Sequence, residues 1–145
     1  DIGKRIGKEK LNEYIKKMGF GKVSGVDLPG EAKGITKKTE DITEADLATI
    51  SFGQSNTVNA VQYMTAFISI VNGGKLIQPH IMKEVIHKDE YNNIVTDKTF
   101  ESNIVDILSQ ENTAILRDYL ERTVAQGGSS KSYVEGYHIA AKTGT

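Results

Sequence analysis

The chain has 145 residues, of which 38% are hydrophobic and 26% charged, with a formal net charge of -1. That length suits one domain, and a compact protein of this size buries roughly two-thirds of its unfolded surface. The balance argues against a disordered polyelectrolyte and against a nucleic-acid partner, because lysines are interspersed with acids, as in Lys8-Glu9-Lys10 and Lys37-Lys38-Thr39-Glu40-Asp41.

With no cysteine, a disulfide framework and a thiolate metal site are both excluded. No apolar run approaches the roughly 20 residues that a membrane-crossing helix requires. The chain opens Asp1-Ile2-Gly3-Lys4 and not with a signal peptide, so any membrane anchor is expected outside this sequence.

From Lys8 to Met18, Leu11, Ile15 and Met18 recur at helical spacing, with Tyr14 widening the stripe and Gly19 placed as a left-handed cap. The glycine-rich stretch from Gly19 to Gly34, with Pro29 near Val26-Asp27-Leu28, reads as a structured loop with a short extended run. Gly19-Phe20-Gly21 opens like a dinucleotide fingerprint, but Ser24 occupies the third glycine position and a helix precedes it, so that reading fails. Thr43-Glu44-Ala45-Asp46 has the form of a capping box before a short helix to about Ile50. After Ser51-Phe52-Gly53-Gln54, Asn59 and Gln62 form a second box, opening a helix whose Val61, Met64, Ile68 and Val71 align as an expected core face.

Asn72-Gly73-Gly74 ends that helix, and Lys75 to Gln78 and Ile81 to His87 read as extended. Turn residues Asp89 to Asn93 before Ile94-Val95 then predict a small hairpin. A further helix is expected from Gln110 to Ala125, capped by Ser109, with Leu116, Leu120 and Val124 aligned and Gly127-Gly128 beyond its end. Ser129-Ser130-Lys131-Ser132 reads as a flexible loop, and Tyr137 to Lys142 as a strand of small residues.

For chemistry, His80, His87 and His138 stand apart without metal-ligand spacing, and no cofactor is expected. Neither a Gly-x-Ser-x-Gly elbow nor a phosphate-binding Gly-Lys-Ser/Thr loop is present. Lys142-Thr143-Gly144-Thr145 remains, a weak signal alone but here ending a small-residue strand after a loop and a capped helix.

In combination the landmarks resemble the penicillin-binding protein transpeptidases, in particular the monofunctional class B enzymes. Ile6-Gly7-Lys8-Glu9-Lys10-Leu11 to Gly19-Phe20-Gly21 is similar to the helix after the family's Ser-x-Asn motif, and Gly25-Val26-Asp27-Leu28-Pro29-Gly30-Glu31 to the loop that follows. Ser51-Phe52-Gly53-Gln54 with Val61-Gln62 to Asn72-Gly73-Gly74 resembles the Phe-Gly-Gln loop and its long helix, and Gly136-Tyr137 to Thr145 the Lys-Thr-Gly strand. Three departures stand out. Ala60 replaces the family's usual proline, Ala141 its usual glycine, and neither Ser-x-x-Lys nor Ser-x-Asn occurs in the sequence.

The resemblance implies an α+β, helix-dominated portion of the transpeptidase fold, which is serine β-lactamase-like, with a small hairpin and one C-terminal sheet strand. Residues 1–145 would form a partial domain lacking the Ser-x-x-Lys and Ser-x-Asn regions and the strands after Lys-Thr-Gly. The family's serine attacks a D-alanyl-D-alanine amide of a peptidoglycan stem peptide, and β-lactams mimic that substrate. By motif match Lys142 and Thr145 take catalytic roles, through the lysine charge and the Thr145 backbone N–H as an oxyanion donor. Thr143, Gly144 and Thr145 would face the substrate's carboxylate and backbone. The resemblance also implies a membrane-anchored parent acting on the extracytoplasmic face. The chain by itself is expected to be inactive, with an unpaired strand edge that a neighbouring chain would cover. Rival readings are a serine β-lactamase or β-lactam sensor domain, and a non-enzymatic helical interaction module. Gln54 and Asn56 stay open between a cleft role and a purely structural one.

Overall fold

The structure is a computed structural model that describes residues 1–127 and 130–143. It is α+β and helix-dominated, with helices α1 (Ile2–Ile6), α2 (Lys8–Lys17), α3 (Glu44–Ile50), α4 (Ala60–Val71) and α5 (Gln110–Ala125). Strands β1 (Lys75–Ile77), β2 (Glu84–Lys88), β3 (Ile94–Thr99) and β4 (Ile104–Asp106) form two antiparallel pairs, β1 with β4 and β2 with β3.

α2 forms where the apolar spacing places it, and Gly19, at φ 87°, supplies the left-handed turn that ends it. Leu11 and Ile15 pack on the buried cluster of Ile42, Leu47 and Ile50, so α2 and α3 share one small core. Asn12, 1% exposed, donates from Nδ2 to Thr39 Oγ1 at 2.7 Å. α1 has no counterpart in the sequence pattern, since Gly3 within its five residues and Gly7 at its C-cap disfavour a helix. It forms because Gly3 lets it sit directly on the end of α3, where a Cβ would lie 2.4 Å from the Ser51 Cβ.

Both predicted capping boxes are present. Asp46 N donates to Thr43 Oγ1 at 3.2 Å while Thr43 N donates to Asp46 Oδ2 at 3.0 Å. At α4, Gln62 N donates to Asn59 Oδ1 at 2.7 Å and Asn59 N donates to Gln62 Oε1 at 3.0 Å. The face of α4 that is buried differs from the one the apolar pattern predicts. Met64, Ile68 and Val71 are 51%, 45% and 51% exposed, whereas Gln62, Ala66 and Ser69 are buried. Hydrogen bonds compensate the buried polar groups: Gln62 Nε2 donates to the carbonyls of Lys22 and Lys33, and Ser69 Oγ to Ala66 O at 2.6 Å. The apolar side is half in solvent because none of the described residues packs fully over it.

The hairpin β2–β3 turns through Asp89 to Asn93 as expected, with a register shift between Val85 and Ile86. Its first strand starts at Glu84, and not at the predicted Ile81, because the N–H groups of Ile81 and Met82 both donate to the Asp27 carboxylate at 2.8 Å. Those hydrogen bonds lower the Asp27 carboxyl from its ordinary value, Met82 first and Ile81 second. The extended run expected at Val26-Asp27-Leu28 pairs with no strand among the described residues and bends at Asp27 and Leu28 into a turn at Pro29 and Gly30. β4 was not apparent in the sequence, and it pairs with β1 in the register Leu76 to Val105. Gly74, at φ 100°, closes the corner, where a Cβ would lie 2.1 Å from Leu108 O.

α5 is capped by Ser109 and lies on α4, with Arg117 Nη1 donating to Val71 O at 3.1 Å. Val124 is buried, Leu120 half-buried and Leu116 at the margin of exposure. Ser130–Ser132, read as a flexible loop, is a single 3-10 turn, and Gly128 and Ser129 lie outside the described residues. Tyr137 to Lys142 is not the strand that the small residues predict. It has no ladder partner among the described residues, and a strand exists only through the hydrogen bonds of its neighbours.

The accessible surface is 10411 Å², where a compact monomer of this mass would show about 7,400 Å². Only about 55% of the unfolded surface is removed from water, against about two-thirds for a closed domain. Exposed apolar faces such as that of α4 account for the excess in kind.

Candidate functional site

The C-terminal segment is laid against α5 by two contacts. His138 Nδ1 bonds Glu121 Oε1 at 2.6 Å, and Ala141 N donates to Leu120 O at 3.4 Å. Leu120 and Glu121 are consecutive residues of α5, so they meet positions three residues apart on the segment that leads into Lys142. Glu121 raises the His138 imidazole above its ordinary range, first by the hydrogen bond and then by its charge.

Lys142 is exposed, and its Nζ donates to Thr143 O at 2.9 Å and Thr143 Oγ1 at 3.4 Å. Among the described residues its ammonium has no carboxylate partner, so its charge is available to an anionic group. The lysine borders a hollow of about 250 Å³ between the end of α2, α4 and α5, lined by Met18, Phe20, Tyr63, Phe67, Leu116 and Leu120. The Tyr63 and Phe67 rings stack there with centroids 6.2 Å apart. The apolar wall keeps water from one side of the ammonium, so an approaching anion is screened somewhat less there than in open solvent.

Of the candidate residues, Lys142 and Thr143 are adjacent and hydrogen-bonded, while Gly144 and Thr145 lie outside the described residues. The Ser51-Phe52-Gly53-Gln54 turn follows α3 with Gly53 at φ 92° and Gln54 N donating to Thr49 O at 3.0 Å. No hydrogen bond or ion pair among the described residues joins that turn, or Asn56, to the 138–143 segment. The histidines are separate, as their spacing indicates: His80 bonds Met82 O and His87 bonds Asp97, each at 2.8 Å.

Three positioning residues escaped the sequence reading. Glu121 gave no local signal, because its partner lies 17 residues away. Asp27 sat in the expected extended run, yet its carboxylate ties the loop to the hairpin. Glu31 accepts from Ser24 N at 2.7 Å, Gly25 N at 3.2 Å and Asn59 Nδ2 at 3.3 Å, and so holds the glycine-rich loop to the start of α4. Burial opposes the Glu31 charge, but these donors outweigh it and leave its carboxyl below the ordinary value.

Comparison with known proteins gives these features a frame. The penicillin-binding protein transpeptidase domain matches residues 1–145. Stage V sporulation protein D of Bacillus subtilis is 41% identical over 149 aligned residues, covering 100% of this chain and 22% of that protein. Peptidoglycan D,D-transpeptidase FtsI of Buchnera aphidicola is 27% identical, over 94% of this chain and 22% of its own length. The chain thus spans about a fifth of these relatives. Among solved structures, apo penicillin-binding protein 3 of Mycobacterium tuberculosis superposes with a TM-score of 0.81 at 23% identity, covering 94% of this chain and 31% of that one. A match along the full length rules out a chance coincidence of motifs, and the chain belongs to the penicillin-binding protein transpeptidase family.

Proposed function

We propose that this chain is the part of a peptidoglycan D,D-transpeptidase that supplies the Lys-Thr-Gly-Thr wall of the active site. The observation that carries the reading is Lys142, an exposed ammonium free of carboxylates among the described residues, seated beside Thr143 on a family-matched scaffold. In the reaction a serine hydroxyl attacks the D-alanyl-D-alanine amide carbon, the terminal D-alanine leaves, and an acyl-enzyme forms. The amine of a second stem then displaces the serine and makes the cross-link.

Lys142 attracts the substrate's terminal carboxylate and places positive charge beside the reacting hydroxyl. The Thr143 and Thr145 hydroxyls face that carboxylate. Gly144 lets the substrate backbone approach, and Thr145 N–H is one of two oxyanion donors. The nucleophile and its own N–H, the second donor, belong to a Ser-x-x-Lys segment not present in this sequence, so residues 1–145 act as a partial domain. The excess accessible surface supports that reading, since the bare α4 face needs polypeptide to cover it. Substrate and β-lactam binding therefore belong to the whole protein, which we place on the extracytoplasmic face of the membrane. Among the described residues, no helix is long and apolar enough to cross a membrane.

The test is labelling with a fluorescent penicillin followed by denaturing electrophoresis. Residues 1–145 alone should stay unlabelled, and the protein that joins them to the Ser-x-x-Lys region should label covalently. A labelled 145-residue chain would refute the assignment of roles.

A further inference from the structure

We propose that Glu121 and His138 form a positioning pair that clamps the segment bearing Lys142 onto α5, setting where the lysine ammonium sits relative to the reacting groups. The inference rests on the reading of Lys142 given above and adds two residues that do not touch the substrate.

The argument starts from how weakly the segment is held otherwise. Between Tyr133 and Thr143 there is no ladder pairing among the described residues. The Tyr137 N–H is used locally, on Val134 O at 3.1 Å. The Ala141 to Leu120 backbone bond is long at 3.4 Å, so the 2.6 Å contact between His138 and Glu121 is the short link to α5. The two contacts engage neighbouring helix residues, which fixes both the height of the segment along α5 and its direction toward Lys142.

Exposed ion pairs contribute little to global stability, so a role in stabilising the whole fold is a poor explanation for this one. A terminal segment with few other restraints is different, because a small bias decides its place. When the imidazole is protonated the bond is charge-assisted, and Glu121 is the charged group acting on the ring among the described residues. The clamp is therefore strongest below the raised pKa of His138 and loosens as pH rises through it.

The experiment measures the second-order rate of acylation by a fluorescent penicillin between about pH 5.5 and 8.5 in the full-length transpeptidase that carries this segment. Wild type is compared with Glu121→Gln and His138→Lys. At low pH wild type should acylate about two- to fivefold faster than Glu121→Gln, the range an exposed pair can supply. That ratio should fall toward one as pH rises, while His138→Lys, cationic throughout, keeps the faster rate. A ratio of one at low pH, or a ratio unchanged across the range, overturns the proposal, the latter because a merely structural effect would not follow imidazole titration.

If wild type is not acylated at all, the assignment of function fails, and the clamp is judged separately on residues 1–145. There the His138 ring protons should titrate above pH 6.5 and return to it in Glu121→Gln, with faster Ala141 amide exchange in the variant. An unshifted His138 sinks the clamp.

Discussion

Gln62 is the side chain on which α4 and the glycine-rich loop depend together, and replacing it with methionine isolates that dependence. The residue is 2% exposed, and methionine nearly preserves its volume, so no large cavity opens. What disappears is two donations from Nε2, to Lys22 O and Lys33 O, and one acceptance by Oε1 from Asn59 N. The bond from Gln62 N to Asn59 Oδ1 survives, so half of the capping box remains. Each lost partner costs about 1 kcal/mol when its group stays unsatisfied. Lys22 and Lys33 lie at exposed positions where water can reach their carbonyls, which brings the total to about 2–3 kcal/mol. Urea unfolding followed by far-UV circular dichroism reads this directly, and a thermal scan should fall by about 5–10 °C for a chain of this length. A loss below about 1 kcal/mol would refute the claim that Gln62 ties the loop to the helix.

Two further outcomes follow from the same structure. Ile68→Gln should change stability by less than about 0.5 kcal/mol, because the side chain is half in water, whereas Ala66→Leu on the opposite, buried face should cost about 1–3 kcal/mol by overpacking. Urea midpoints for the two variants in the opposite order would mean that the apolar face is the covered one. Asp46 is held down to about 2, first by the Lys37 ammonium at 2.6 Å and then by the Thr43 N–H and hydroxyl. Its folded pKa lies below the ordinary 3.8, so its contribution is complete above pH 3.8 and is lost as pH falls through about 2. The gap in urea midpoint between wild type and Asp46→Asn should therefore shrink between pH 5 and pH 2, and a constant gap would refute the pairing.

Local chemistry was legible wherever the partners lie within a few residues of each other. The Thr43 to Asp46 and Asn59 to Gln62 boxes, the Gly19 cap and the Asp89 to Asn93 turn all lie inside one helical turn or hairpin, so residue type and spacing determine them. The ordered series of motifs also determined the family, since each is short but their sequence along 145 residues is specific.

Which face is covered was not a local property. A helical apolar stripe is buried only if something packs on it, and within this chain the loop and α5 reach the other side of α4, so Gln62, Ala66 and Ser69 are inside. The same holds for the segment before Lys142: its small residues permit a strand, but a strand is a relation between hydrogen-bonded neighbours, and the described residues supply no partner strand. Glu121 with His138 and Asp27 with Ile81 and Met82 join residues 17 to 55 positions apart, distances at which only the folded backbone decides who meets whom.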